Sequence, residues 1–418
     1  MRIRNDPQSL SFVLTKLLVN IKIRFIMSRT IEAEFQKAKT LIEQVSKLLR
    51  LTGIWPDYLL SSNIRYALAI LYYITFIFME YCDLIDVFGN LDLMILNLME
   101  SICHTIIITR VLMMKFSEKI LKVITDINEG VDDFYTTIEE KQIYIEYYLK
   151  GASFYNISVR YGFITATAWY ITPLTNYVVA LMANETAILV IPYRISTFFD
   201  ISLTLQRTII VYIYEIGIIY FSVCYILSCN IVSVAVNNVC CRLAVLSRRI
   251  KQLKYENNEA FITASFHYFC TDHLKIIRVV ETINTAFSLV FLNELILITA
   301  LISVIIYTII LNFDDVDIVG LISLLVYAVI MISLIGLNCV ISQNLINQST
   351  ELRDTYWQCD WLNMPISCKK SLGIFMIFSQ NPLQLSAGKF YIYSMPNFVN
   401  ILKSSMAYVS MLRTVNSK

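Results

Sequence analysis

The sequence predicts an all-α, polytopic membrane protein with seven transmembrane helices, a cytoplasmic N-terminus, an extracellular C-terminus and a helical cytoplasmic anchor domain. Three observations predict it. Over 418 residues the chain is 57% hydrophobic and 16% charged, with a mean hydropathy of +0.61, which is outside the soluble globular class. Its apolar residues gather in runs of about 20, the length a helix needs to cross hydrocarbon. Its Lys and Arg residues cluster on one side of those runs. Gly and Pro are sparse, at 10 and 7, and lipid admits no open sheet edge, so helices are the expected element.

The first 63 residues are expected to form a cytoplasmic segment with a re-entrant or interfacial helix. Lys16, Lys22 and Arg24 interrupt its apolar start, so no cleavable signal peptide is expected and the first span serves as its own insertion signal. Met27 is as eligible a start as Met1. Spans are predicted at Ile64–Cys82, Leu91–Leu112 (with Asp92, Glu100 and His104), Phe154–Leu174 (with Arg160, ending at Pro173) and Leu203–Leu227 (with Glu215). Three more follow at Asn284–Leu311, Ile318–Ile341 and Met395–Leu412. Residues 64–341 thus hold spans one to six, with long helical extensions over about 228–283. Residues 342–389 form an anchor, and 390–418 form the last helix and tail.

Orientation follows from charge. Lys and Arg number eleven in residues 1–65, six in 110–150, seven in 242–278 and four in 353–389, whereas loops 83–90, 175–202 and 312–317 hold Arg194 alone. That asymmetry puts the N-terminus inside, and seven spans then put the C-terminus outside. A G-protein-coupled receptor has the reverse orientation, and no DRY follows span three here, nor NPxxY in the last. The sequon Asn184-Glu185-Thr186 falls in the long outer loop and is a glycosylation candidate.

Other chemistries find little support. A net charge of +2 gives no basic field for nucleic acid. The ten cysteines form no paired CxxC, so no zinc site is expected. His104, His267 and His273 are far apart, and no nucleophile, base or metal constellation appears, so no enzyme and no cofactor are expected. No internal repeat suggests a secondary transporter.

Cys240–Lys254 and Thr271–Glu281 carry apolar residues at helical spacing between basic ones, so they read as spans four and five continuing into the cytoplasm. Their basic faces suit lipid headgroups, and their apolar stripe must be buried, against neighbouring subunits for example. Trp357 and Trp361 are expected on one helical face, with a break at Asn363–Pro365. Ser371–Gln380 is apolar but too short to span, which suits a buried cytoplasmic helix.

The tail carries a specific pattern: Tyr356, Trp361, Lys369-Lys370, Gln380 to Pro382, Gly388-Lys389-Phe390 and Ala407-Tyr408. It resembles the C-terminal signature of insect odorant receptors, and Gly53-Ile54-Trp55-Pro56 resembles that family's motif before span one. Ala407 departs from the commoner serine. The tail differs from that of the shared co-receptor, and the co-receptor's long second cytoplasmic insertion is missing, so the resemblance is to a tuning subunit. It implies a seven-helix, ligand-gated, non-selective cation channel formed as a heterotetramer with the odorant receptor co-receptor, in the plasma membrane of sensory neurons. It also implies a small volatile organic ligand in the outer half of the bundle and a pore lined by the last helix. A gustatory receptor channel of the same superfamily and a G-protein-coupled receptor are the alternatives.

In the last helix Asn400, Ser404, Met411 and Val415 share one stripe. Ordinary helix packing and pore lining both explain it; the resemblance aligns Met411 and Val415 with the family's gate, where an apolar constriction closes by dewetting. For the ligand, Gly162, Thr165 and Trp169 fall at helical spacing on span three, with Met94 and Leu98 on span two, Tyr212 and Ile213 on span four, and Ser323 and Tyr327 on span six. Together they suggest an aromatic-lined cavity with a few hydroxyls, though each also suits helix packing. Glu215 is an intramembrane acid, poised for function or for pairing with Arg207 or a tyrosine.

Overall fold

The computed structural model describes residues 29–56, 60–183, 188–197, 205–253, 259–311 and 318–416. It is a helical membrane protein. In order, the helices are α1 (29–39), α2 (Leu41–Leu51), α3 (Leu60–Asp86), α4 (Leu91–Lys115), α5 (Glu118–Asn128), α6 (Val131–Phe134) and α7 (Ile138–Met182). Then come α8 (Leu205–Glu215), α9 (Gly217–Gln252), α10 (Glu259–Leu311), α11 (Ile318–Gln358), α12 (Ile366–Phe378) and α13 (Met395–Asn416). A hairpin of β1 (Ser386–Ala387) and β2 (Tyr391–Ile392) precedes α13.

Among the described residues five stretches are long and apolar enough to cross a membrane: α3, α4, α8–α9, α10 and α11. Helices α7 and α13 occupy the places predicted for spans three and seven. The apolar window of α8–α9 is 67% buried within the chain, against 22% for α3 and for α11. Helix α9 is therefore the central post, packed by α2, α4, α7, α10 and α11, while α3 and α11 present apolar residues outward, as lipid contact allows. One end of the bundle, the lower end, gathers α2, α5 and α12; the upper end holds segment 188–197.

Several helices run differently from expectation. Pro173 does not end α7, which continues to Met182. Pro173 removes the bond its amide would give the Trp169 carbonyl; one residue on, the Tyr170 carbonyl accepts the Tyr212 hydroxyl, so α8 braces α7 where the proline interrupts its ladder. Span four is divided at Ile216. There the Tyr72 hydroxyl takes the Tyr214 carbonyl at 2.7 Å, and Ile216 and Ile219 donate to carbonyls three residues back instead of four. Trp357 and Trp361 do not share a helical face. Helix α11 stops at Gln358, and Trp361 opens a 3-10 turn in which Asp360 accepts the Asn363 side-chain amide at 2.7 Å, a local bond that competes with helix.

The lower end is held by side-chain caps. Thr137 and Glu140 form a reciprocal capping box that starts α7. Glu140 also receives Arg249 Nε at 2.6 Å. Burial raises the Glu140 carboxyl, but Arg249 and the Thr136 and Thr137 amides outweigh it and hold it below its usual range. Gly388 and Lys389 have φ of +60° and +68°, the conformation that a tight hairpin turn demands. A Cβ at Gly388 would also stand 2.8 Å from Leu292 of α10, which accounts for glycine in the Gly-Lys-Phe motif.

At Gly217 the need is close approach rather than backbone conformation, since a Cβ there would lie 2.6 Å from the Tyr72 ring. That ring is fixed by its bond to Tyr214 and by stacking near Phe221. Gly217→Val is expected to lower stability by about 1–3 kcal/mol through overpacking, read as a lower melting temperature of the purified chain.

Candidate ligand site and pore helix

The structure brings part of the expected ligand set together. The Trp169 ring of α7 lies 5.7 Å from that of Tyr327 on α11, and the Tyr327 hydroxyl donates to the Met99 carbonyl of α4 at 2.9 Å. Three helices thus meet at one aromatic contact. Met94 and Leu98 lie half-buried on the same α4. The Thr165 hydroxyl bonds its own helix at Tyr161 and Gly162.

The others face elsewhere. The space above Gly162 is filled by Ile226, whose Cδ1 would be 1.7 Å from an added Cβ; the glycine seats α9 against α7. Tyr212 is buried against Tyr170, each hydroxyl donating to the other's carbonyl. Ile213 is 63% exposed on the outside of the bundle. The side chain of Ser323 lies outside the described residues, as does Asn184.

Beside this contact sits a polar cluster that joins Glu100, His104 and Glu215, each noted in its span, to Glu80 and Asp83, which sequence reasoning passed over. Glu80 of α3 accepts from or shares a proton with His104 Nδ1 of α4 at 2.7 Å, both buried. Segment 188–197 descends onto them. Tyr193 inserts its ring 5.2 Å from His104 and 6.0 Å from Phe76, and its amide donates to Glu215 at 3.2 Å. Arg194 donates its amide to Glu100 at 2.8 Å and its Nε to Asp83 at 2.6 Å. Glu215 therefore meets a tyrosine through the backbone. The signal was available, since each intramembrane ionisable residue is a candidate by default; Glu80 stands at the end of the first apolar run.

A second buried pair lies deeper. Arg110 of α4 donates to Glu294 of α10 at 2.5 Å and to the Ser228 hydroxyl of α9 at 2.5 Å. Its guanidinium stands 5.5 Å from the Tyr225 ring centre. Next to it Asn293 donates to Thr109 at 2.7 Å. This clasp ties three helices together at the level of α13, whose Ser405 carbonyl accepts from Ser303 of α10 at 3.2 Å.

Helix α13 has one buried face, made by Ile401, Ser405 and Val409, and packs on α10 and α11. Asn400, Ser404 and Met411 lie off that face and are exposed. Val415 belongs to the same helix, with its side chain outside the described residues. Lys403 is exposed too.

At the lower end, where α10, α11 and α12 meet, His273 is buried between Tyr356 and Phe375, and the Tyr356 hydroxyl lies 3.1 Å from its Nδ1. Burial pushes the imidazole down to about 4, so it stays neutral in the fold and accepts from Tyr356. An unfolded histidine titrates near 6.5. The neutral ring's contribution is therefore complete above that value and lost as pH falls toward about 4. Between pH 7.5 and 5 the melting temperature is expected to fall, and to fall less in His273→Gln.

Comparisons with known proteins bear on the family and the fold. The family model described as 7tm Odorant receptor matches residues 90–406. The chain is also similar to the solved structure of the insect olfactory receptor OR5 from Machilis hrabei, with a TM-score of 0.73 at 14% identity, covering 91% of this chain and 100% of that one. The same receptor in complex with eugenol gives a TM-score of 0.73 at 15% identity, with the same coverage.

Proposed function

The chain belongs to the 7tm odorant receptor family, and from that premise we propose that it is a tuning subunit that binds small volatile ligands and gates a non-selective cation channel together with the odorant receptor co-receptor. The observation that carries the channel reading is α13: one face is packed within the chain while Asn400, Ser404 and Met411 face away from it. A polar lower stripe leading to an apolar upper one suits an ion path closed by dewetting, completed by α13 of neighbouring subunits. The charge bias supports an inside N-terminus. On that orientation the lower end is cytoplasmic and anchors the tetramer, the upper end faces the sensory medium, and Asn184 is glycosylated.

We put ligand binding at the meeting of α4, α7 and α11, a reading supported by Trp169, Tyr327, Leu98 and Met94, which offer apolar area with few hydrogen bonds. The similar Machilis receptor was solved with eugenol, which supports a small volatile occupant in this fold. Ligand must bind the open state more tightly than the closed one, and α10 and α11, both packed on α13, are the elements placed to transmit the difference.

Excised patches from cells expressing this chain with the co-receptor test the proposal. Odorant-evoked cation current in a patch perfused free of nucleotide and G protein is the expected result. Current that disappears when GTP is withdrawn contradicts it.

A further inference from the structure

The upper cluster contains more acid than its own bases can serve. Asp83 is paired with Arg194 and Asn97, at 2.6 and 2.9 Å, and Glu100 takes the Arg194 amide. Glu80 uses one oxygen on His104, and Glu215 uses one on the Tyr193 amide. The other oxygen of each, Oε2 of Glu80 and Oε1 of Glu215, is buried and has no partner among the described residues. Both side chains are wholly inaccessible. A buried carboxylate oxygen without a donor is costly and marks a place where a cation or donor belongs. Both orphan oxygens are tied to the same contact, because the Tyr193 amide holds Glu215 while the Tyr193 ring abuts His104, which holds Glu80.

The walls favour one kind of cation. Phe76, Tyr73 and Phe221 surround the cluster, with Tyr73 stacked on Phe221 at 3.9 Å and Phe76 edge-on to His104 at 5.3 Å. Carboxylates within aromatic rings suit an organic ammonium, which gains from both ion pairing and ring faces. A hard inorganic ion wants six or more oxygens, and among the described residues no group of His, Cys, Asp and Glu could hold a metal. Tyr193 itself rides on an irregular segment, 188–197, in which no residue is helical.

We propose that this cluster is a binding site for a small protonated amine, seated on Glu80 and Glu215 when the Tyr193 ring withdraws from its contact with His104. The inference deepens the receptor reading by naming a ligand class, and it rests on that reading for its electrical consequence alone.

The test uses the purified full chain in lipid nanodiscs, with isoamylammonium chloride as probe and isoamyl alcohol as its neutral counterpart, followed by calorimetric titration at neutral pH. The expected result is saturable binding of the ammonium, at least tenfold tighter than the alcohol. Glu80→Gln and Glu215→Gln are each expected to weaken the ammonium at least tenfold and leave the alcohol unchanged. Equal binding of the two probes, or ammonium binding indifferent to both substitutions, overturns the proposal. Tyr193→Trp covers the case in which a Gln variant does not fold: its larger ring should exclude the ammonium, and undiminished binding there overturns the proposal as well. The titration needs no co-receptor and no current, so a chain that binds the ammonium but conducts nothing counts against the channel reading alone.

Discussion

Glu294→Gln is expected to destabilise the folded chain by on the order of 3–5 kcal/mol, because it leaves the Arg110 guanidinium charged and unpaired inside the bundle. Arg110 has no exposed surface, and Glu294 is 1% exposed. The guanidinium cannot neutralise itself by losing a proton. Ser228 would still accept from Nε, but a hydroxyl dipole does not replace a full opposite charge. Replacing both partners with apolar residues of similar size, Arg110→Met with Glu294→Leu, is expected to recover most of the loss, since a buried pair adds little over good apolar packing. Thermal denaturation of the detergent-solubilised chain measures both. A Glu294→Gln protein as stable as the parent would show that the pair is not buried at the meeting of α4, α9 and α10.

Trp169→Ala should raise the half-effective concentration of an apolar odorant about 10- to 100-fold while leaving the maximal current elicited through the co-receptor unchanged. The ring is 38% exposed within the chain and leans on Tyr327 at 5.7 Å, so it borders open space on one side and a fixed aromatic on the other. Losing the contact of a large ring with a ligand costs about 1.5–3 kcal/mol, and about 1.4 kcal/mol is tenfold in affinity. The second readout matters. A substitution that only loosened the fold would lower both responses together, and that result would remove Trp169 from the ligand site. Thr165→Val is the milder companion; its hydroxyl already bonds its own helix, so little change is expected.

The helices were legible because lipid selects them by length and apolarity, both of which are local properties of sequence. Among the described residues the predicted spans lie on helix, span four with its break at Ile216, and the extensions of spans four and five run unbroken into α9 and α10. What escaped was set by partners distant in the chain. Arg110 and Glu294 are 184 positions apart, and nothing near either one announces the other. Pro173 looks like a terminus because it lacks an amide hydrogen, yet α7 continues past it, braced by the Tyr212 hydroxyl on the Tyr170 carbonyl from a helix far along the chain. Gly162 suggests a cavity in sequence, but its vacancy is claimed by Ile226 from another helix. The division at Ile216 likewise depends on Tyr72, far upstream. Trp169 and Tyr327 were singled out because they lie in the outer halves of their spans, where the family resemblance puts the ligand, and their rings stand 5.7 Å apart. Glu80, His104 and Glu215 could have been joined by asking which intramembrane acids lacked a base nearby in sequence.

The central claim is that α13 turns one face to its own chain and another to an ion path. Cysteine substitution along α13, with a charged, membrane-impermeant thiol reagent applied during odorant-evoked current through the complex with the co-receptor, tests it most directly. Cysteine at Asn400, Ser404 or Met411 is predicted to make the current sensitive to block, with the unsubstituted complex as control. Cysteine at Ile401, Ser405 or Val409, the face packed on α10 and α11, is predicted to leave it insensitive. Block from the packed face with none from the open one would contradict the account.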